Sequence, residues 1–583
     1  MPEAQPRRRS TLALALVVAA GCSGDDGKGE GSSGASVGTL PTTSATTATT
    51  ASTTQGGTGT ASSAGSESES ASSGSSGSGD TTGTSGTSAG STSAGTSAGT
   101  SGTSGTSGTS GTTGDATTGE PIDLCKVNED MGPVEDCIDE APPNSFEPDV
   151  QWQWVGPGGE EQSVVTPLVA NLTDDDANGM IDLCDTPDIV VVAAKSTPGA
   201  GHIYVLDGAT GAVHFSTADA VDMTVTPALG DIDADGLPEI VAATPTGNLI
   251  AFEHDGTKKW EGAKWNGQYI GSLGLADLDN DGDVEIYGSN QLFDHNGALL
   301  WTAAVPPANY SATVAADLDG DGDLELVLGN AAFHHDGTML WSANVGAGFP
   351  QVADLDDDGL PEVLLTNING ISLLEHDGAI KYKDLRPTGD SAGGLNWYRP
   401  ATIHDFDGDD VSEFAVSSAN NYAAYEGDAS IVWKATVSDQ SGIAAGTAFD
   451  FLGDGVAEAM YADEKFMFIF DGAGKVLLQS PRTSLTGTEY PIVADVDNDG
   501  SAEIVVVSNI YGGQKSPTVQ VIRDKEDRWI QARRIWNQHT YHVTNVREDG
   551  TIPQFEKPSW KALNTFRTNA QIEGGGVCKP IPQ

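Results

Sequence analysis

The residues best equipped for chemistry in this chain are carboxylates spaced two apart in a recurring acidic turn. The pattern D-x-D-x-D-G-x-x-E, or a near variant, occurs eight times, starting at Asp174, Asp231, Asp277, Asp317, Asp354, Asp405, Asp450 and Asp495. Oxygens at positions 1, 3 and 5 of a tight turn converge on one point. Gly at position 6 lets the chain reverse at positive φ, and an acid at position 9 closes the cage. That arrangement suits calcium, which takes several oxygens at about 2.3 to 2.6 Å, better than magnesium, which insists on octahedral geometry and keeps its water.

Five copies have the full ligand set: Asp231, Asp233, Asp235 and Glu239; Asp277, Asp279, Asp281 and Glu285; Asp317, Asp319, Asp321 and Glu325; Asp354, Asp356, Asp358 and Glu362; Asp495, Asp497, Asp499 and Glu503. Three deviate. The first has Asp174, Asp176, the neutral oxygen of Asn178, and Asp182. The sixth keeps Asp405, Asp407, Asp409 and Glu413 but puts Asp410 where Gly belongs, which Asp tolerates. The seventh has Leu452 between Asp450 and Asp454, with Glu458 closing, and is expected to bind weakly or stay empty. Four acids in six loops and three in two make 30 of the 83 Asp and Glu, so much of the formal charge of −55 is placed to coordinate cations. Uncompensated, these groups repel, so several structural calcium ions and folding coupled to their binding are expected.

The loops recur at steps of about 46 residues, the length of a four-stranded propeller blade. In the third unit an apolar approach (Ser272 to Ala276) leads into the loop. Ile286-Tyr287, Gln291 to Phe293, an Asn296-Gly297 turn and Leu299 to Trp301 follow, which reads as two hairpins. Asp-Gly turns recur at Asp207, Asp255, Asp336, Asp377 and Asp471, while Gly427-Asp428 and Asp524-Lys525 depart. The connections are too short and turn-rich for crossover helices. The expectation is an all-β, calcium-binding β-propeller of eight blades, or seven if one unit fails to form. These repeats resemble the FG-GAP or VCBS repeats of integrin-alpha-type propellers, whose calcium loops match Asp231 to Glu239 and its equivalents. The resemblance covers roughly residues 150 to 545 and implies fold rather than ligand.

The N-terminus is organised differently. Arg7 to Arg9, an apolar stretch from Leu12 to Ala20, and Gly21-Cys22 resemble a bacterial lipoprotein signal, with residues 1–21 removed and Cys22 lipidated. Residues 23–119 are almost all Ser, Thr, Gly and Ala, a disordered tether with an end-to-end distance on the order of 50 to 60 Å. Residues 120–148 form a Cys-bearing lead-in, 149–545 the propeller, and 546–583 a tail that packs on it or closes it. Cys125, Cys137, Cys184 and Cys578 remain for two disulfides in an exported protein. Three pairings exist; Cys125 with Cys137 and Cys184 with Cys578 is the expected one.

The acidity argues against nucleic acid or anionic lipid as partner, leaving the N-terminal lipid as the only membrane contact. Aromatics cluster in the loops opposite the acidic turns: Trp265, Tyr269, Tyr310, Phe349, Trp397, Tyr398 with Arg399, and Tyr490. They form a candidate face for a protein or glycan, with packing between blades as the alternative. Trp260, Trp301, Trp341 and Trp433 stand at repeat positions and are expected to pack blades. His539 and His542 form H-x-x-H without a third ligand, and no catalytic constellation stands out. The expectation is a non-enzymatic lipoprotein of the bacterial cell envelope, at the outer membrane or cell surface, binding protein or glycan as an adhesion module. The alternatives are a polysaccharide lyase, with Arg399 and His404 its only suggested pair, or a purely structural envelope protein.

Overall fold

A computed structural model describes residues 123–127, 134–267, 270–306 and 312–582. The leader, Cys22, the tether, Tyr269 and Tyr310 lie outside the described residues. Among the described residues, eight sheets have a four-strand antiparallel path and follow one another in chain order, with two smaller sheets of three and two strands beside them. The second is typical: Ala228–Gly230, Glu239–Ala243, Asn248–Phe252 and Lys258–Lys264. Its first three strands are almost wholly buried, because neighbouring sheets cover both faces, and they read as unbroken apolar runs. The fourth is half-exposed and carries Lys258, Lys259, Glu261 and Lys264, charges that discourage pairing at an open edge.

The eighth sheet departs from chain order. Its first three strands are Ile492–Ala494, Glu503–Val507 and Val519–Asp524, and the fourth is Pro148–Trp154, at the junction of the lead-in and the repeats, paired antiparallel with Val519–Asp524. The last sheet packs back on the first: Trp152 Nε1 donates to the Gly208 carbonyl at 2.7 Å, and its ring covers Gly211. The same contact joins sheets along the chain. Trp301 Nε1 donates to His335 O at 2.7 Å and Trp341 Nε1 to His376 O at 2.8 Å. Gly297 holds φ +74°, and a Cβ there would come within 2.5 Å of the Trp260 ring, so the turn glycine is required both by its backbone and by the ring lying on it. The repeat tryptophans therefore pack sheet to sheet, as expected.

The C-terminal segment belongs to the core. Val169 and Trp536 exchange two backbone hydrogen bonds of 2.9 Å, and Leu229 N–H donates to Asn537 O at 2.8 Å. Leu275 N–H donates to Gln538 Oε1, Asp354 N–H to Asn564 Oδ1, Ile403 N–H to Phe566 O, Thr447 Oγ1 to Arg567 O, and Asn569 Nδ2 to Val493 O. These partners are the innermost strands of seven of the eight sheets, or in one case the residue just after such a strand, whose inner polar edges the segment satisfies. Ile535, Trp536, Asn537, Gln538, Tyr541 and Arg567 are completely buried.

The disulfides are Cys125–Cys184 and Cys137–Cys578, which corrects the expected pairing. Sequence proximity of Cys125 to Cys137 misled. Leu183 N–H bonds the Cys125 carbonyl, while Glu135–Asp136 pairs in parallel with Cys578-Lys579, so each lead-in cysteine is carried to a different place.

Candidate metal loops

Each acidic loop links the first and second strands of its sheet, and loops two to eight share the bond that closes them. In loop two, Asp231 accepts the N–H groups of Asp235 (3.2 Å) and Gly236 (2.9 Å), Asp235 accepts that of Leu237 (3.0 Å), and Glu239 accepts that of Ile232 (2.9 Å). The bond from the position 9 Glu to the N–H of position 2 recurs from Glu285, Glu325, Glu362, Glu413, Glu458 and Glu503. The bond to position 2 uses only Oε2 of each closing glutamate and leaves Oε1 for another partner, whereas Asp231 accepts through both of its oxygens. Asp410 takes the position of Gly in loop six at φ +68° and makes the same bond to Asp405, at 2.9 Å.

The donor set fits a divalent cation. Carboxylate oxygens of Asp405, Asp407, Asp409 and Glu413 lie within 4.8 Å of one another, the spacing of oxygens across an ion bound at about 2.3 to 2.6 Å. Glu413 Oε1, Asp495 Oδ1, Asp497 Oδ1 and Glu503 Oε1 are buried without a hydrogen-bond partner among the described residues. An ionised oxygen so placed is costly unless a cation meets it. Burial raises the proton affinity of these groups: Glu239 and Glu362 to about 7, Glu285 to about 8 and Glu413 to about 9, with Glu458 and Glu503 pushed well above the ordinary range.

Loop one is registered differently from the sequence reading. The first strand ends at Ala170, so Asn171 stands at position 1. The N–H of Leu172 bonds Asp188 Oδ2 at 2.9 Å, so Asp188, not Asp182, takes the place of the closing glutamate. Asp174, Asp176 and Asn178 form a turn within a longer insertion, where Asn178 and Gly179 donate to Asp174, while Asp182 accepts Cys184 N–H. The signal was present, since Asp188 immediately precedes Ile189-Val190 as Glu239 precedes Ile240-Val241. Loop seven, with Leu452 at position 3, still folds around Asp450, and Ala141 and Pro582 lie against it. Ala141 N–H donates to Leu452 O at 2.8 Å, and a Cβ on Gly455 would collide with Pro582.

The expected aromatic face is not a surface. Trp265, Phe349, Trp397 and Tyr490 are buried, and Tyr398 is half-buried with its ring 5.3 Å from that of Phe349. These rings are large and apolar and pack into the core, Trp265 and Tyr490 in one buried cluster, Trp397 in a second and Phe349 with Tyr398 in a third. Arg399 is fully buried against Asp439, Nε to Oδ2 at 2.7 Å, and is not paired with His404. His404 instead ends the strand Thr402–His404 and lines a cavity of about 210 Å3 between loops five to seven and the tail, together with Asp405, Asp410, Trp560, Asn564 and Lys579. His539 and His542 also part company. The first meets Thr166 at 3.1 Å, and the second meets Glu556 Oε1 at 2.6 Å.

Comparison with known proteins agrees with this architecture. The family profile of the FG-GAP-like repeat matches residues 231–288, and no curated protein matches the chain by sequence. Among solved structures, the Vibrio cholerae biofilm matrix protein Bap1 is similar over 75% of this chain and 100% of its own, with 21% identity and a TM-score of 0.63. Rhamnogalacturonan lyase YesW covers 74% of this chain and 82% of its own at 17% identity and a TM-score of 0.46. A Bacillus licheniformis rhamnogalacturonan lyase covers 74% and 81% at 16% identity and 0.45. Residues 231–288 are an FG-GAP-like repeat, set in an all-β, β-propeller-like protein.

Proposed function

We propose that the chain is a calcium-stabilised, eight-bladed propeller, exported and held to the cell envelope through Cys22 and the 23–119 tether, that binds a glycan or protein without catalysis. The observation that supports it most is the convergence of Asp405, Asp407, Asp409 and Glu413 to within 4.8 Å, with the same backbone scheme in the other regular loops. With those aromatics buried, the ligand position moves to the cavity beside His404 and Trp560, rimmed by Asp410 and Lys579, which form an ion pair at 3.7 Å. Its acidic lining favours a neutral or cationic ligand group over a polyuronide. The fold likeness to a biofilm matrix protein agrees with a role at the cell surface.

Glycan-array and peptide-array binding of the purified protein tests this. Retention on neutral glycans or basic peptides, lost in Trp560→Ala and Asp410→Lys, supports the reading. The lyase alternative draws on His404, whose Nδ1 lies 3.1 Å from the Asp405 carbonyl and whose proton affinity burial lowers, leaving a neutral imidazole. Release of unsaturated sugars by the wild type, lost in His404→Ala, would move the assignment to that enzyme.

A further inference from the structure

Every one of the eight sheets carries a β-bulge at the same place in its fourth strand. Ala251 pairs with Trp260 and Phe252 with Lys258, so Lys259 is the extra residue. The same shift isolates His214, Leu300, Leu340, Lys381, Val432 and Leu477, and Gln151 in the strand lent to the eighth sheet. A bulge re-aims a side chain, and in four sheets, where the residue is His214, Lys259, Lys381 or Gln151, it brings that side chain to the acidic loop of its own sheet. Lys259 Nζ stands 2.6 Å from Asp233, 2.9 Å from Glu239 and 3.0 Å from Glu253, so each of its three N–H groups has a carboxylate. Lys381 repeats this with Asp356, Glu362 at 3.0 Å and Glu375 at 3.3 Å. Gln151 Nε2 donates to Asp497 at 2.6 Å, and His214 Nε2 lies 3.4 Å from Asp188. Where the bulge residue is Leu300, Val432 or Leu477, no basic side chain reaches a ligand carboxylate among the described residues.

We infer that the bulge residue sorts the loops into two classes. Loops two and five carry their own cation, the ammonium of Lys259 or Lys381, at the carboxylates of positions 3 and 9, and do not depend on calcium. Loops three, six and eight, whose bulge residue is Leu300, Val432 or Gln151, have no such ammonium and take the metal, while loop four, with Leu340, stands between the classes because His334 Nδ1 lies 2.9 Å from Glu325 Oε1. Glu413 Oε1 in loop six and Glu503 Oε1 in loop eight, both fully buried and unpartnered, are the groups left for it. The sorting rests on the calcium reading above and refines it. Chelation would then loosen some sheets while two keep their internal staple, so that ligands carried by sheets three, six and eight become calcium-dependent first.

The test exchanges bulge residues between classes. Bound calcium per chain is measured by elemental analysis after equilibration in limiting calcium, and melting is followed with and without EDTA. Lys259→Leu is expected to bind one more calcium than wild type and to show a larger EDTA-induced fall in melting temperature. Leu300→Lys is expected to bind one fewer and to show a smaller fall. Because Lys259→Leu leaves three acids unpaired and could fail to fold, Leu300→Lys, which adds a partner to loop three, decides the matter independently. Unchanged stoichiometry in Leu300→Lys, or in a folded Lys259→Leu, overturns the sorting while leaving calcium binding intact. A wild type that binds no calcium removes both readings.

Discussion

Glu285→Gln provides a sharp test because its effect should change sign with calcium. Glu285 is 8% exposed, its proton affinity is raised by burial to about 8, and loop three has no internal cation. For a carboxylate whose folded pKa lies above its unfolded one, the folded state holds more protons. Metal-free stability is therefore greatest near and below pH 4.5 and is lost as pH rises from there toward 8. At pH 7.5 that interval spans three units, which at about 1.4 kcal/mol per unit comes to ~4 kcal/mol, an upper bound once local relaxation is allowed for. Glutamine keeps an oxygen for the Leu278 N–H and never ionises. In EDTA at pH 7.5 the variant should therefore be more stable than wild type by ~2–4 kcal/mol, and at pH 4.5 the advantage should vanish. In calcium at a hundredfold excess over Kd the order reverses, because wild type gains ~3 kcal/mol from the ion and the variant has lost a charged ligand. Urea titrations under these conditions read all of this. Equal destabilisation of the variant with and without calcium would refute the reasoning.

Other perturbations address the packing. Trp536→Ala, at the completely buried start of the C-terminal plug, should cost ~3–5 kcal/mol in urea titrations; a change below ~1 kcal/mol would mean that the innermost strands do not depend on that segment. Gly297→Ala places a Cβ against the Trp260 ring at positive φ and should destabilise by ~1–3 kcal/mol, with relief in the Trp260→Ala background shown by a double-mutant cycle. Cys137→Ser with Cys578→Ser releases the bond spanning 441 residues and should lower stability by ~2–5 kcal/mol. Equal stability in oxidised and reduced wild type would contradict it.

Much of the architecture was legible because its punctuation is local. The acidic loops and the Asp-Gly turns fix where strands begin and end, and Trp260, Trp301 and Trp341 mark one recurring sheet-to-sheet contact. What escaped the reading depends on distant chain. The fourth strand of the eighth sheet comes from Pro148–Trp154, some 370 residues from its partner Val519–Asp524. Disulfide pairing followed the lead-in rather than sequence distance. Loop one was read from Asp174 because that turn carries the motif, whereas strand register makes Asn171 and Asp188 the equivalent positions. Trp397 and Tyr490 looked like a face because loops are expected to be outside, yet each ring is buried. Lys259 and Lys381 could not be linked to the loops without the bulge, since a regular strand would turn the same side chain to the opposite side.

The central claim, that divalent cations staple the regular loops that have no lysine of their own, is tested most directly by melting the purified protein in calcium, after exhaustive EDTA treatment, and after calcium is restored, with bound metal measured in each sample. Several bound calcium ions and a reversible fall in melting temperature of about 10 °C on chelation are expected, as four sites at ~2.7 kcal/mol each would give for a domain of this size. An unchanged melt together with no bound cation would contradict the account.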